Sequence, residues 1–194
     1  MKQESHKLLG YYLMNRAGEG YAPRHRAAFL LGCVEPDRNP LTYIKGSYRA
    51  QWMRGHNFLN AQRLMARLCR GLEGRENWRM LDYYRLGKLI HYTADAFTFA
   101  HNAMFQEDIR QHLVYEGHLQ KHFKQLLEEE RALPCLPFEM AAYDLIRRHH
   151  QDYETAQRTV ETDAEYILLV TELLFRHLMP CPQPVAVRPI PAAA

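Results

Sequence analysis

No two cysteines stand close enough to form a Cys-x-x-Cys pair, because the four present, Cys33, Cys69, Cys135 and Cys181, are scattered along the chain. That scatter excludes a disulfide framework and a thiolate zinc knuckle, and it leaves free thiols. Long apolar runs are missing as well. Met1 to Lys7 is charged and polar, and nothing of the length of a signal-peptide core or a membrane span follows it. A cytoplasmic location is the expectation. Runs of lysine are also absent: the formal charge of +3 is spread along the chain and gives no footprint for nucleic acid. There is no Gly-x-Ser-x-Gly, no phosphate-binding Gly-rich loop and no Cys-His pair of familiar spacing, so no side-chain nucleophile is indicated.

The 194 residues, 47% of them hydrophobic, suffice for one sizeable core and crowd out a second. Strand signals are scarce, and apolar residues recur at steps of three and four, which predicts an all-α single-domain bundle of about six to eight helices. The first helix is expected from Ser5 as N-cap to about Arg16, ended by Gly18 and Gly20. A second near Arg24 to Leu31 is expected to give way to a stiff turn at Gly32 to Pro40, where two prolines flank Asp37. Further helices are predicted from His56 to Arg70, Trp78 to His101, Glu107 to Arg131, Phe138 to Tyr153 and Asp163 to Leu178. The helical domain then covers 1–179, and the proline-rich tail 180–194 is expected to be disordered or draped on the surface.

Histidine is the unusual component, with 11 copies. His91 and Asp95 stand at i and i+4, so a helix sets imidazole and carboxylate on one face, one turn apart. His112 and Glu116 repeat the spacing, and His101 lies between the pairs. One such pair alone is more often a surface hydrogen bond. Two close together, with a further His and the aromatics Tyr92, Phe97, Phe99 and Tyr115 around them, point to metal between helices. His118 and His122 turn away from that face, while His25, His149, His150 and His177 read as solvated. Trp52 and Trp78 read as core anchors. Gly87, one turn before His91, costs about 1 kcal/mol relative to Ala in a helix, which a close helix crossing beneath the site explains.

The motifs occur in a telling order: Gly-x-x-x-Pro-Asp at Gly32 to Asp37, His56, His91-x3-Asp95-x5-His101, and His112-x3-Glu116. This order resembles the zinc-dependent phospholipase C family, whose fold is similar to that of the secreted single-strand-specific zinc nucleases, and the likeness spans most of His6 to His122. The resemblance implies one zinc on Asp37, His56, His91 and Asp95 and a second on His101, His112 and Glu116. A third position in those families uses an N-terminal His, the shared Asp and the amine and carbonyl of the first mature residue. His6 and Asp95 match it. Met1 is not counted on to supply the rest, so two zinc ions are expected and the third position is expected to be weak or lost.

The family places an aromatic directly after the loop Asp to help cage choline. Arg38 stands there instead, and its guanidinium favours phosphate or carboxylate over a quaternary ammonium. The expected activity is zinc-dependent hydrolysis of a phosphate ester, with a lipid headgroup ester as the family-level substrate, Asp37 orienting the attacking water and Arg38 binding substrate. A nuclease or phosphatase on the same scaffold, or a metal-binding protein without turnover, stays open as an alternative.

Overall fold

The computed structural model describes residues 1–39, 58–102, 109–129 and 140–179. Seven α-helices make up the described part: α1 (Gln3–Arg16), α2 (Pro23–Arg38), α3 (Phe58–Leu72), α4 (Met80–Ala96), α5 (Ile109–Glu128), α6 (Ala142–Thr155) and α7 (Val160–Leu178). A single 3-10 turn, Phe99–His101, separates α4 from α5. No strand occurs among the described residues. The chain is an all-α single domain, as its periodicity predicts. The expected tail from Pro180 onward lies outside the described residues, as do His56 and Trp52.

Helix α4 is the centre of the bundle, flanked by α2, α3 and α7, while α5 and α6 pack on α7. Leu86, Leu89, Ile90, Ala94 and Ala96 of α4 are all buried. So are the polar His91, Thr93 and Asp95 of the same helix. A helix buried on nearly every side has no solvated face on which to place charge, so a His and an Asp inside it need partners from neighbouring elements.

The closest packing joins α2 to α4. A Cβ on Gly32 would overlap the Tyr84 carbonyl oxygen, and a Cβ on Gly87 would overlap the Phe29 carbonyl oxygen. The two helices therefore meet backbone to backbone at this pair of glycines, as the placement of Gly87 suggests. Phe29, one turn before Gly32, meets Phe175 of α7 edge to face at 5.3 Å, which continues the core beyond the crossing.

Two local expectations need correction. The segment Gly32 to Arg38 is not a turn: α2 runs through Pro36, and Asp37 occupies its last turn. Proline removes one N–H and crowds the carbonyl four residues earlier, but tertiary packing holds this turn helical. Glu35 accepts hydrogen bonds from Lys88 Nζ at 2.9 Å and Tyr84 OH at 3.0 Å, both on α4. Ser5, for its part, does not cap α1. The helix begins earlier, at Gln3, and Ser5 is buried in its first turn. Gly18 and Gly20 do end that helix region, with φ of 80° and 114°, values that suit residues without a Cβ.

Candidate metal centre

His91 and Asp95 lie on one face of α4, and α1 and α2 bring His6 and Asp37 to it. His91 Nε2 is 3.2 Å from Asp95 Oδ2 and 3.6 Å from Asp37 Oδ1. His6 Nε2 is 3.1 Å from Asp95 Oδ1 and 4.0 Å from Asp37 Oδ2. The two imidazoles stack at 3.8 Å. His91 is oriented from behind, since its Nδ1 lies 2.9 Å from the Cys33 carbonyl oxygen of α2. That contact makes Nδ1 the donor and leaves the Nε2 lone pair turned toward the carboxylates. The glycine crossing thus does more than pack the helices, because it sets the depth at which α2 delivers both the Cys33 carbonyl and Asp37.

A second group forms where the 3-10 turn meets α5. His101 Nε2 is 3.0 Å and His112 Nε2 3.3 Å from the same oxygen, Glu116 Oε1. The i, i+4 reading of His112 and Glu116 holds in space, and the turn after α4 carries His101 to them. In each group, His6, Asp37, His91 and Asp95 in one and His101, His112 and Glu116 in the other, one ligand atom per residue lies within 4.8 Å of all the rest.

Met1 joins the two groups. Its α-amino nitrogen lies 2.8 Å from Asp95 Oδ1, 3.1 Å from Glu116 Oε1 and 2.6 Å from His101 Nε2. The sequence analysis did not count on Met1, which stands several residues before His6, yet α1 brings its amine to both groups. Arg38 lies exposed at the end of α2, and the Gln3 side-chain oxygen, with its amide turned to accept, is 3.0 Å from Arg38 Nη2 and 3.1 Å from Nε.

The electrostatics follow from burial and crowding. Burial alone raises the pKa of Asp95, yet the Met1 amine, His101, His6 and His91 together hold it well below the usual carboxylate range. Glu116 is likewise held low against the effect of burial, chiefly by hydrogen bonds from His101 and His112. Burial, reinforced by His91, drives His6 down to about 3, whereas Asp95 and Asp37 outweigh burial and raise His91. Two imidazoles stacked this closely do not both carry a proton, and His6 is the neutral one. His101 is lowered by burial and by the Met1 amine. For Met1 itself burial favours the neutral amine, but Asp95 and Glu116 outweigh it and raise the pKa.

These residues fit a divalent metal. Their donors are imidazole nitrogens, which bind metal when neutral, and ionised carboxylates, and the set contains no thiolate, which suits zinc without excluding other first-row ions. His118 is exposed, His122 is half-buried, and both stand apart from these groups. His150 departs from expectation: it is buried, with its ring stacked on Phe58 at 3.7 Å. Its neighbour His149 is half-buried, and its Nδ1 lies 2.9 Å from the Leu145 carbonyl oxygen. His25 stacks on Tyr83 at 4.4 Å, and His177 Nε2 lies 3.1 Å from Glu73. Trp78 packs on the edge of the core.

Among the described residues, no helix is long and apolar enough to cross a membrane. No curated protein and no solved structure matches the chain significantly. A family model does: the one described as zinc dependent phospholipase C covers residues 5–169. That span takes in His6, both donor pairs and every helix but the first residues of α1 and the end of α7, and the chain belongs to the zinc-dependent phospholipase C family.

Proposed function

We propose that the chain hydrolyses phosphate esters with two zinc ions held by its own imidazoles and carboxylates. The observation that carries this reading is the convergence of two donor groups, one buried in the bundle and one at its edge, in a member of a zinc-dependent hydrolase family. Asp37, His91 and Asp95 hold the first ion, with His56 joining them from outside the described residues. His101, His112 and Glu116 hold the second. When bound, zinc supplies Lewis acidity that acidifies water and neutralises phosphate oxygens.

The remaining work falls to the protein. Asp95, enclosed between His6, His91 and the Met1 amine, fixes the spacing of the donors. Asp37 is less enclosed and offers an oxygen that orients the attacking water and takes its proton. His6 and Asp95 are the side chains available to a third ion. Arg38, tethered by Gln3 beside Asp37, donates to an anionic substrate oxygen and repels a quaternary ammonium, so phosphocholine esters are the poorer substrates.

The test is zinc analysis of the purified protein followed by a panel of phosphomonoesters, phosphodiesters and single-stranded nucleic acid. Zinc-dependent cleavage of an ester is expected. A fully metallated protein that cleaves nothing in the panel would establish a metal-binding member of the family without turnover.

A further inference from the structure

Asp163, which the sequence places only near the start of the last helix, is completely buried and accepts three hydrogen bonds. Tyr153 OH of α6 donates to Oδ1 at 2.6 Å, while Tyr115 OH of α5 and the backbone N–H of Phe99 donate to Oδ2 at 2.9 Å and 2.7 Å. Two of these donors sit directly beside the second donor group. Phe99 opens the 3-10 turn that ends in His101, and Tyr115 immediately precedes Glu116.

We infer that Asp163 is a positioning residue for the second metal: one carboxylate on α7 that fixes the His101 turn and the Glu116 helix relative to each other. The inference rests on the metal reading above. The alternative, a carboxylate that merely ties helices together, does not explain the choice of donors. A core anchor needs partners anywhere in the bundle, whereas Phe99 and Tyr115 belong to the two segments that must meet within hydrogen-bonding distance for His101 and Glu116 to share an ion. The turn is three residues long, and a single turn of 3-10 helix is weakly self-supporting. Asn102, just after it, ties the chain back to the Ala96 and Thr98 carbonyl oxygens at 3.1 Å and 2.9 Å. The Phe99 ring meets the Tyr115 ring of α5 edge to face at 5.9 Å, and Asp163 adds a directional polar link between the same two residues from a separate element. Burial raises its pKa and the three donors oppose that rise, for a net value of about 6.

The experiment is stepwise zinc titration against a chromophoric chelator, with the melting temperature of the metal-free protein measured in parallel, on the full chain and on Asp163→Ala and Tyr115→Phe. Ala removes the acceptor of all three bonds, whereas Asn with its oxygen in the Oδ2 place would still accept from both Phe99 N–H and Tyr115 OH. Tyr115→Phe removes only the bond to α5 and is the milder change should Asp163→Ala fail to fold. Groups that orient metal ligands typically contribute about 10- to 100-fold to affinity. The expected result is a loss of that size in one of two zinc constants for either variant, the same constant that His112→Ala lowers, with the other changed less than about threefold and the loss larger than any fall in metal-free melting temperature accounts for. Equal weakening of both constants, or two unchanged constants with a lower melting temperature, overturns the inference and leaves Asp163 a structural anchor. Failure of the unsubstituted chain to bind two zinc ions is a different outcome, and it overturns the metal reading on which the inference stands.

Discussion

Gly32 and Gly87 lie at one backbone crossing: a Cβ on Gly87 would come 3.0 Å from the Gly32 Cα and overlap the Phe29 carbonyl oxygen, and a Cβ on Gly32 would overlap the Tyr84 carbonyl oxygen. Because Cys33 and Asp37 follow Gly32 on α2 while His91 and Asp95 follow Gly87 on α4, this contact sets how the two arms of the first donor group approach. Gly87→Ala is expected to destabilise the protein by about 1–3 kcal/mol or more through overpacking, although Ala is the better helix former by about 1 kcal/mol. Urea unfolding of the metal-free protein measures it. A stability equal to that of the parent would show that the helices do not touch here.

Asp37 and Asp95 are both carboxylates of the first group, but their surroundings differ. Asp95 is fully buried and contacts His6, His91 and the Met1 amine, so Asp95→Asn is expected to release metal and lower the melting temperature together with activity. Asp37 sits at the partly exposed end of α2. Asp37→Asn keeps an oxygen ligand and loses the proton acceptor, so most of the zinc should stay while the rate falls by about a hundred- to ten-thousand-fold. Unchanged turnover in Asp37→Asn would reduce this residue to a structural role.

Chelation is expected to lower the melting temperature, because the donor groups gather like-charged carboxylates that a cation holds together. Acid should act in the same direction. His91 has a raised pKa, so as pH falls through that value protons compete with zinc at this imidazole, and affinity declines from the neutral range downward. Zinc titrations at several pH values measure the slope. A zinc affinity that stays constant from pH 8 to 6 would exclude His91 as a ligand.

Substrate choice rests on Arg38. Anionic or neutral headgroup esters are expected to outcompete phosphocholine esters, and Arg38→Tyr should narrow the gap by replacing a repelling cation with a π face. Direct competition between the two ester types decides it. A clear preference of the unsubstituted protein for phosphatidylcholine would mean that other residues build the headgroup pocket.

His150 supplies an acid-sensitive part of the stability. Burial lowers its pKa from 6.5 to about 4. The unfolded chain therefore takes up a proton first as pH falls, and stability is lost between about pH 6.5 and 4 and is intact above that window. A shift of this size corresponds to roughly 3 kcal/mol. His150→Phe keeps the stacking on Phe58 and should flatten the pH dependence of metal-free stability over that window. An undiminished slope in the variant would assign it to other groups.

The helical pairs were legible in the sequence because a helix has a fixed period: His91 with Asp95, and His112 with Glu116, are neighbours as soon as a helix is granted. Gly87 was legible for a related reason, since a residue that weakens a helix interior needs a packing cause. What spacing does not encode was harder to see. Asp37 looked like a loop residue because Pro36 precedes it, and the grip of Lys88 and Tyr84 on Glu35, a tie that spacing does not encode, helps to hold that turn helical. His150 looked solvated beside a second histidine, yet α6 turns it inward against Phe58. Asp163 carried no motif at all, because its three donors come from three separate segments.

His6 and Asp95, 3.1 Å apart in space, are 89 positions apart in the chain. Their contact clasps the first turn of α1 to the middle of the bundle and closes a loop whose ends an unfolded chain rarely brings together. A chain still emerging from synthesis cannot make it until α4 has followed α1 into the open, so the first donor group is complete only when both helices are present.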